Sequence, residues 1–220
     1  MKRQQSGFTL VEIAIVLVII GLLLGGILKG QELINSAKVK NLANDFRVIP
    51  TYIYAYQDKY RALPGDDAQA STHLTPPAGG AAATNGDGNG LIGGTIFPPT
   101  LESLQFWMHV RYANLAAGPV LVTDPGYIPT NAVGGQISIS SMGAGQPLIT
   151  TMTGTFQVCS RGILGKFAKQ LDIQMDDGNT ATGSLQVIAD VAAPGAPVAG
   201  PGLAVSAVTD PDPFVVCYTF

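Results

Sequence analysis

From Phe8 to Leu28 the chain is a nearly unbroken apolar run, interrupted by one carboxylate, Glu12, and ended by Lys29. About 20 such residues in a helix cross a bilayer, so this run predicts a membrane-length helix. Beyond Lys29 the pattern changes without losing its period. Val39, Leu42, Phe46, Ile49, Ile53, Tyr56 and Tyr60 recur at steps of three and four, while Lys38, Lys40, Asp45, Arg47, Asp58 and Lys59 fall elsewhere. That spacing puts one apolar stripe on one helical face. Pro50 interrupts the stripe and costs an interior hydrogen bond. Because the phase holds across it, a bend is expected there and a stop is expected near Tyr60, before Leu63-Pro64-Gly65.

The rest of the chain reads as short elements between turns. Residues 64–99 are rich in Gly, Pro, Ala, Asn and Thr and predict a loop. Thr100-Leu101-Glu102-Ser103 is a cap-and-first-turn pattern for a second helix through Trp107 to Leu115, stopped by Gly118-Pro119. Trp107 and Met108 are expected in the core, and His109 on the helix surface or as a satisfied polar group. Strands are expected at 136–140, 148–158, 185–189, 203–208 and 214–218, a third helix at 162–174, and a mobile Ala/Pro/Gly loop at 192–202. The fold class is therefore α+β: a long N-terminal helix, apolar then amphipathic, on a loop-rich antiparallel sheet. The expected organisation is 1–7 as a leader, 8–28 as the membrane half of the helix, 29–60 as its amphipathic half and 61–220 as the globular part.

Composition sharpens this picture. Only 12% of the 220 residues are charged, with 27 Gly and 15 Pro, which suits a loop-rich domain better than a helical bundle. The net charge of −3 comes without a basic stripe, so nucleic acid is not an expected partner. Cys159 and Cys217 would be two inert thiols in a reducing compartment but one disulfide on the far side of a membrane.

The N-terminus decides the compartment. Lys2 and Arg3 would stay in the cytoplasm and send everything after Lys29 outside. A secretory signal peptide would have a shorter apolar core and a small-x-small cleavage site, and Gly25-Gly26-Ile27-Leu28-Lys29-Gly30 makes a poor one. Glu12 is costly in lipid, by about 2.5–3.5 kcal/mol on lenient scales, and such residues usually mark function. No Lys, Arg or His lies between residues 4 and 28, so an α-amino group is the economical counter-ion. Cutting after Gly7 would create one at Phe8.

Ser6-Gly7-Phe8-Thr9-Leu10-Val11-Glu12, followed by the apolar run, resembles the processing motif of type IV pilins and type II secretion pseudopilins. The resemblance implies cleavage by prepilin peptidase between Gly7 and Phe8, N-methylation of Phe8, and pairing of Glu12 with the amine of a neighbouring subunit. It also implies a single-pass protein of the bacterial inner membrane with a periplasmic globular domain, later assembled with other pilin subunits. The expected role is a structural, non-enzymatic subunit of a pseudopilus or pilus. A binding or priming module at a filament tip and a membrane-anchored enzyme are the alternatives. Many major pilins carry proline where this chain has Lys29, a departure that points toward a minor or specialised subunit.

One loop carries candidate chemistry outside this segment. Asn85, Asp87 and Asn89 place side-chain oxygens at alternate positions, with Leu91 supplying a backbone carbonyl, in the manner of the first half of a calcium loop. The bidentate Glu of such loops is absent, since Ile96 stands there. Completing ligands would come from Asp66, Asp67, Glu102 or the Asp176-Asp177-Gly178-Asn179 turn. A Gly/Asn turn that binds nothing is the other reading. Leu63-Pro64-Gly65-Asp66-Asp67, the Asn85 loop and residues 172–183 together resemble one subgroup of pilin-like proteins, which brings no activity with it. The only histidines, His73 and His109, have no neighbouring triad pattern, and no phosphate loop, dinucleotide fingerprint or zinc spacing occurs.

Overall fold

The computed structural model describes residues 10–76, 80–144, 147–190 and 197–220. The leader residues, Gly7, Phe8 and the first part of the predicted 192–202 loop lie outside them. The chain divides into two compact units, Met1–Lys38 and Val39–Phe220.

Helix α1 (Leu10–Tyr60) is continuous through Pro50 and ends at Tyr60, where the stripe ends. In the first unit its apolar residues are exposed almost throughout, from Leu10 to Leu28. In the second unit the stripe is buried: Val39, Leu42, Ala43, Phe46, Ile49, Ile53 and Tyr56. Val39 to Ile53 of this stripe pack with the inner face of a four-stranded sheet and with a second long helix, whereas Tyr56 packs in a separate cluster with Ala70, Leu74, Ala83, Tyr112 and Ala113.

The remaining elements are α2 (Ala70–His73), α3 (Leu101–Tyr112), β1 (Ile137–Ser141), β2 (Phe156–Leu164), α4 (Gly165–Met175), β3 (Leu185–Ala189) and β4 (Pro213–Thr219). The sheet order is β1-β2-β4-β3, with every neighbouring pair antiparallel. Val158, Val187 and Val216 face the α1 core, whereas Cys159, Ile188, Val215 and Cys217 face the opposite side. Ile96, Phe97, Leu148, Ile149 and Met152 cover that second side. A sheet buried on both faces needs consecutive apolar residues, which is why β4 reads Phe-Val-Val-Cys and not as an alternation. Cys159 and Cys217 sit directly opposite each other on β2 and β4 and form a disulfide.

Several local expectations are corrected. The strand expected at 148–158 instead runs Phe156–Leu164. Residues 148 and 149 cross the outer face, held by Gln157, whose Oε1 accepts the Leu148 N–H at 2.7 Å and whose Nε2 donates to the Ile149 carbonyl at 3.2 Å. The strand expected at 203–208 is a single 3-10 turn, Val205–Ala207, because its backbone makes no ladder beyond the Leu203 N–H to Val187 carbonyl bond. Helix α3 stops at Tyr112, three residues early. Asn114 takes φ 60°, and the Asn114 and Leu115 N–H groups donate to the carbonyls of Arg111 and Val110. That is a Schellman termination, with asparagine in the left-handed position. The Thr100 side chain does not cap α3: its Oγ1 accepts the Thr95 N–H, and the Ser103 N–H goes to the Gly93 carbonyl.

Candidate functional site

Two regions carry chemistry: the start of α1, and the loops gathered under α3. In α1, Glu12 lies in the first turn of the described helix, on a segment whose most apolar window is not buried anywhere inside the protein. The helix is long and apolar enough to cross a membrane.

The second region begins just after α1. His109 lies inside α3, fully buried, and bridges two distant loop segments. Its Nδ1 accepts the Gly65 N–H at 2.8 Å, and its Nε2 lies 2.7 Å from the Thr84 carbonyl. A carbonyl can only accept, so Nε2 carries the proton and the ring is neutral. Burial holds its pKa below the ordinary histidine value, against the opposing effects of the Thr84 bond and Asp67. The reading of His109 as a satisfied polar group is therefore the correct one of the two, with burial replacing the surface alternative.

With its flanks fixed, the Asn85–Gly90 loop closes over residues 65–67. Gly86 is pressed so tightly on Asp66 that a Cβ would stand 2.4 Å from the Asp66 Cα. Gly65, at φ 96°, lies under the Glu102 carbonyl, where a Cβ would approach to 2.7 Å. These two contacts explain why glycine is needed at both places.

The result is a convergence of three carboxylates. Oxygen atoms of Asp66, Asp87 and Glu102 lie within 4.8 Å of one another. Asp66 accepts the N–H groups of Asn89 at 3.0 Å and Gly90 at 2.8 Å, and Glu102 accepts those of Asp87 at 3.0 Å and Gly93 at 2.7 Å. Burial raises the Glu102 pKa, the two amides oppose the rise, and Asp66 and Asp87 add to it. Each carboxylate oxygen has more than one lone-pair direction, so amide bonding leaves capacity for a cation. Gln105 lines a cavity of about 280 Å³ together with Asp87 and Glu102, and its Oε1 is buried without a hydrogen-bond partner among the described residues.

Of the residues singled out in the sequence, the structure therefore brings Asp87 together with Asp66 and Glu102. Asn85 and Asn89 are engaged otherwise: Asn85 Oδ1 accepts the Ser71 N–H and Asn89 Oδ1 accepts the Leu91 N–H, both at 2.8 Å. Asp67 turns away to accept from Tyr56 Oη, the Gln69 N–H and His73 Nδ1, each at 2.8 Å. Burial alone would raise the Asp67 pKa; the bonds from His73, Gln69 and Tyr56 outweigh it and hold the carboxyl below the ordinary range. Asp176 and Asp177 belong to their own turn, bonded to the N–H groups of Leu185 and Asn179.

Sequence reading missed Gln105 and the organising position of His109. The available signal was the register of His109 with the buried positions Phe106, Val110 and Ala113, which places it on the core face of α3.

No curated protein and no solved structure matches the chain. Residues 2–28 match the family model described as the prokaryotic N-terminal methylation motif, so the chain carries the N-terminal signature of type IV pilins and pseudopilins.

Proposed function

We propose that the protein is a structural prepilin subunit, cut after Gly7 by prepilin peptidase and assembled through α1 into a type II secretion pseudopilus or a type IV pilus. The observation that carries this reading is the methylation motif placed directly on a helix whose most apolar window is wholly exposed. Soluble monomers rarely expose apolar surface on this scale, so the segment calls for lipid before assembly and for copies of itself afterwards. Lys2 and Arg3 orient insertion. Glu12 pairs with the Phe8 amine of a neighbouring subunit and sets register, the use for which buried ion pairs are best attested. Mass spectrometry of the mature protein should give a start at Phe8 with a methylated amine, and Glu12→Ala should leave processing intact while filaments disappear. A mature start near residue 30 would sink the proposal.

The convergence of Asp66, Asp87 and Glu102 supports a second element, a structural calcium site. Asp66, Asp87 and Glu102 would hold the ion, with Gln105 Oε1 as a neutral oxygen, and the ion would tie the Asn85 loop to α3. Oxygen donors of this kind suit a hard cation.

A further inference from the structure

The chain has two Asn-Gly sequences, Asn85-Gly86 and Asn89-Gly90, and the fold treats them differently. An asparagine before glycine can close on itself: the glycine nitrogen attacks the side-chain amide carbon, and a residue without Cβ leaves the approach open. At Asn89 three hydrogen bonds are arranged along that reaction. The Gly90 N–H, whose nitrogen is the nucleophile, donates to Asp66 Oδ2 at 2.8 Å. Asn89 Oδ1, where negative charge would develop, accepts the Leu91 N–H at 2.8 Å. That bond makes an Asx-turn, which folds the side-chain amide back over the 89–90 peptide. Nδ2, the leaving group, donates to Asp87 Oδ2 at 2.9 Å. Both residues are exposed, and a Cβ built at Gly90 meets nothing within 4 Å, so the backbone has room to move as a ring closes. Asn85 has the same dipeptide without this arrangement. Its Oδ1 is turned to the Ser71 N–H, and the Gly86 N–H donates to the Asp67 carbonyl at 2.9 Å, not to a carboxylate. Gly86 is also pressed against the Asp66 backbone.

From this contrast we infer that Asn89 is a self-modifying site, converted through a cyclic imide with Gly90 into aspartate and isoaspartate, with Asp66 as general base and water as the only co-reactant. The bond from Gly90 N to Asn89 Cγ forms while the N–H proton passes to Asp66. The Leu91 N–H holds the oxygen of the tetrahedral intermediate, as donors aimed at developing charge do. The Cγ–Nδ2 bond then breaks, and Nδ2 takes up that proton through solvent and leaves as ammonia, which restores the Asp66 carboxylate. Water adding at Cγ gives aspartate; water adding at the main-chain carbonyl gives isoaspartate. Either product places a new carboxylate beside Asp87, and isoaspartate also lengthens the loop backbone. The proposal rests neither on filament assembly nor on the calcium reading.

The full-length protein in detergent is incubated in warm neutral buffer made with heavy-oxygen water, then digested and read by mass spectrometry. Chelator is present throughout, so that Asp66 and Asp87 are free of metal. Residue 89 should lose ammonia and then gain one heavy oxygen, at least about tenfold faster than residue 85. In the urea-unfolded chain the two positions should convert at similar rates, because only the fold distinguishes them. Asp66→Asn should slow conversion at Asn89 at least about tenfold, with the fold checked by circular dichroism. The comparison of the folded with the unfolded parent stands whether or not that variant folds. Conversion at Asn89 no faster than at Asn85, or no faster in the folded chain than in urea, would overturn the proposal. A rate at Asn89 that is unchanged or raised in folded Asp66→Asn would overturn it equally.

Discussion

The Nδ1 of His109 accepts the backbone N–H of Gly65 at 2.8 Å, and the same ring reaches the Thr84 carbonyl, so one α3 side chain holds both segments that carry the carboxylate cluster. The bond requires a neutral ring, because a protonated Nδ1 cannot accept. The His109 pKa is depressed by burial relative to the unfolded chain. Below the ordinary histidine value of 6.5 the unfolded state therefore binds the extra proton and the folded state does not. Stability contributed by His109 is present above about pH 6.5 and falls as the pH drops below it.

Replacing His109 tests this directly. His109→Leu removes both bonds and leaves the Gly65 N–H and Thr84 carbonyl to find others; a loss of about 2–4 kcal/mol is expected. The variant should also lose the part of the decline below pH 6.5 that His109 causes. Urea titrations of parent and variant at several pH values measure both, and an unchanged pH profile would count against the bridging role.

Asp172 makes the opposite prediction. It is fully buried on α4 and neither carboxylate oxygen has a hydrogen-bond partner among the described residues. Burial pushes its pKa up to about 6, Asp177 and Asp176 add to the rise, and the amides of Gly178 and Asn179 oppose it without closing a hydrogen bond. A raised folded-state pKa stabilises the protonated form. That contribution is complete below the ordinary 3.8 and is lost as the pH rises through about 6. Asp172→Asn should therefore stabilise the protein by about 1–3 kcal/mol at mildly alkaline pH and change little in acid. Denaturant midpoints in both conditions measure it.

The Cys159–Cys217 bond closes a loop of 58 residues between adjacent strands. In the chain-entropy treatment such a loop contributes about 4 kcal/mol. Reduction or Cys217→Ser should lower the thermal midpoint of the globular unit markedly, while Cys159→Ala with Cys217→Ala should lose about the same amount and no more. Calorimetry with and without reductant provides the comparison.

Calcium should raise the melting temperature if it sits among Asp66, Asp87 and Glu102. At a hundredfold excess over Kd the gain is about 2.7 kcal/mol. Asp66→Asn and Glu102→Gln should abolish the chelator-sensitive shift, and Asp177→Asn, in a separate turn, should leave it unchanged. No shift on adding chelator would remove the proposed ion.

What the chain declares locally is the long helix and the processing motif. Residues 8–28 cannot satisfy a soluble surface, and the stripe from Val39 to Tyr60 keeps its period across Pro50, so α1 and its end were legible from spacing alone. Strands β1, β3 and β4 were legible for the same reason, since turns bracket the alternating Ile-Ser-Ile-Ser of β1 and the short apolar-rich runs of β3 and β4. Residues 148–158 and 203–208 look as apolar as true strands, but ladder partners are chosen in three dimensions: Gln157 captures the Leu148 segment, and Val187 takes only one bond from Leu203. The loop at Asn85 announced oxygen donors without saying which would converge. That choice fell to tertiary structure, because His109 and the glycine contacts at positions 65 and 86 bring Asp66 and Glu102, distant in sequence, onto Asp87. Spacing along a chain encodes which face a residue takes; only packing decides which faces meet.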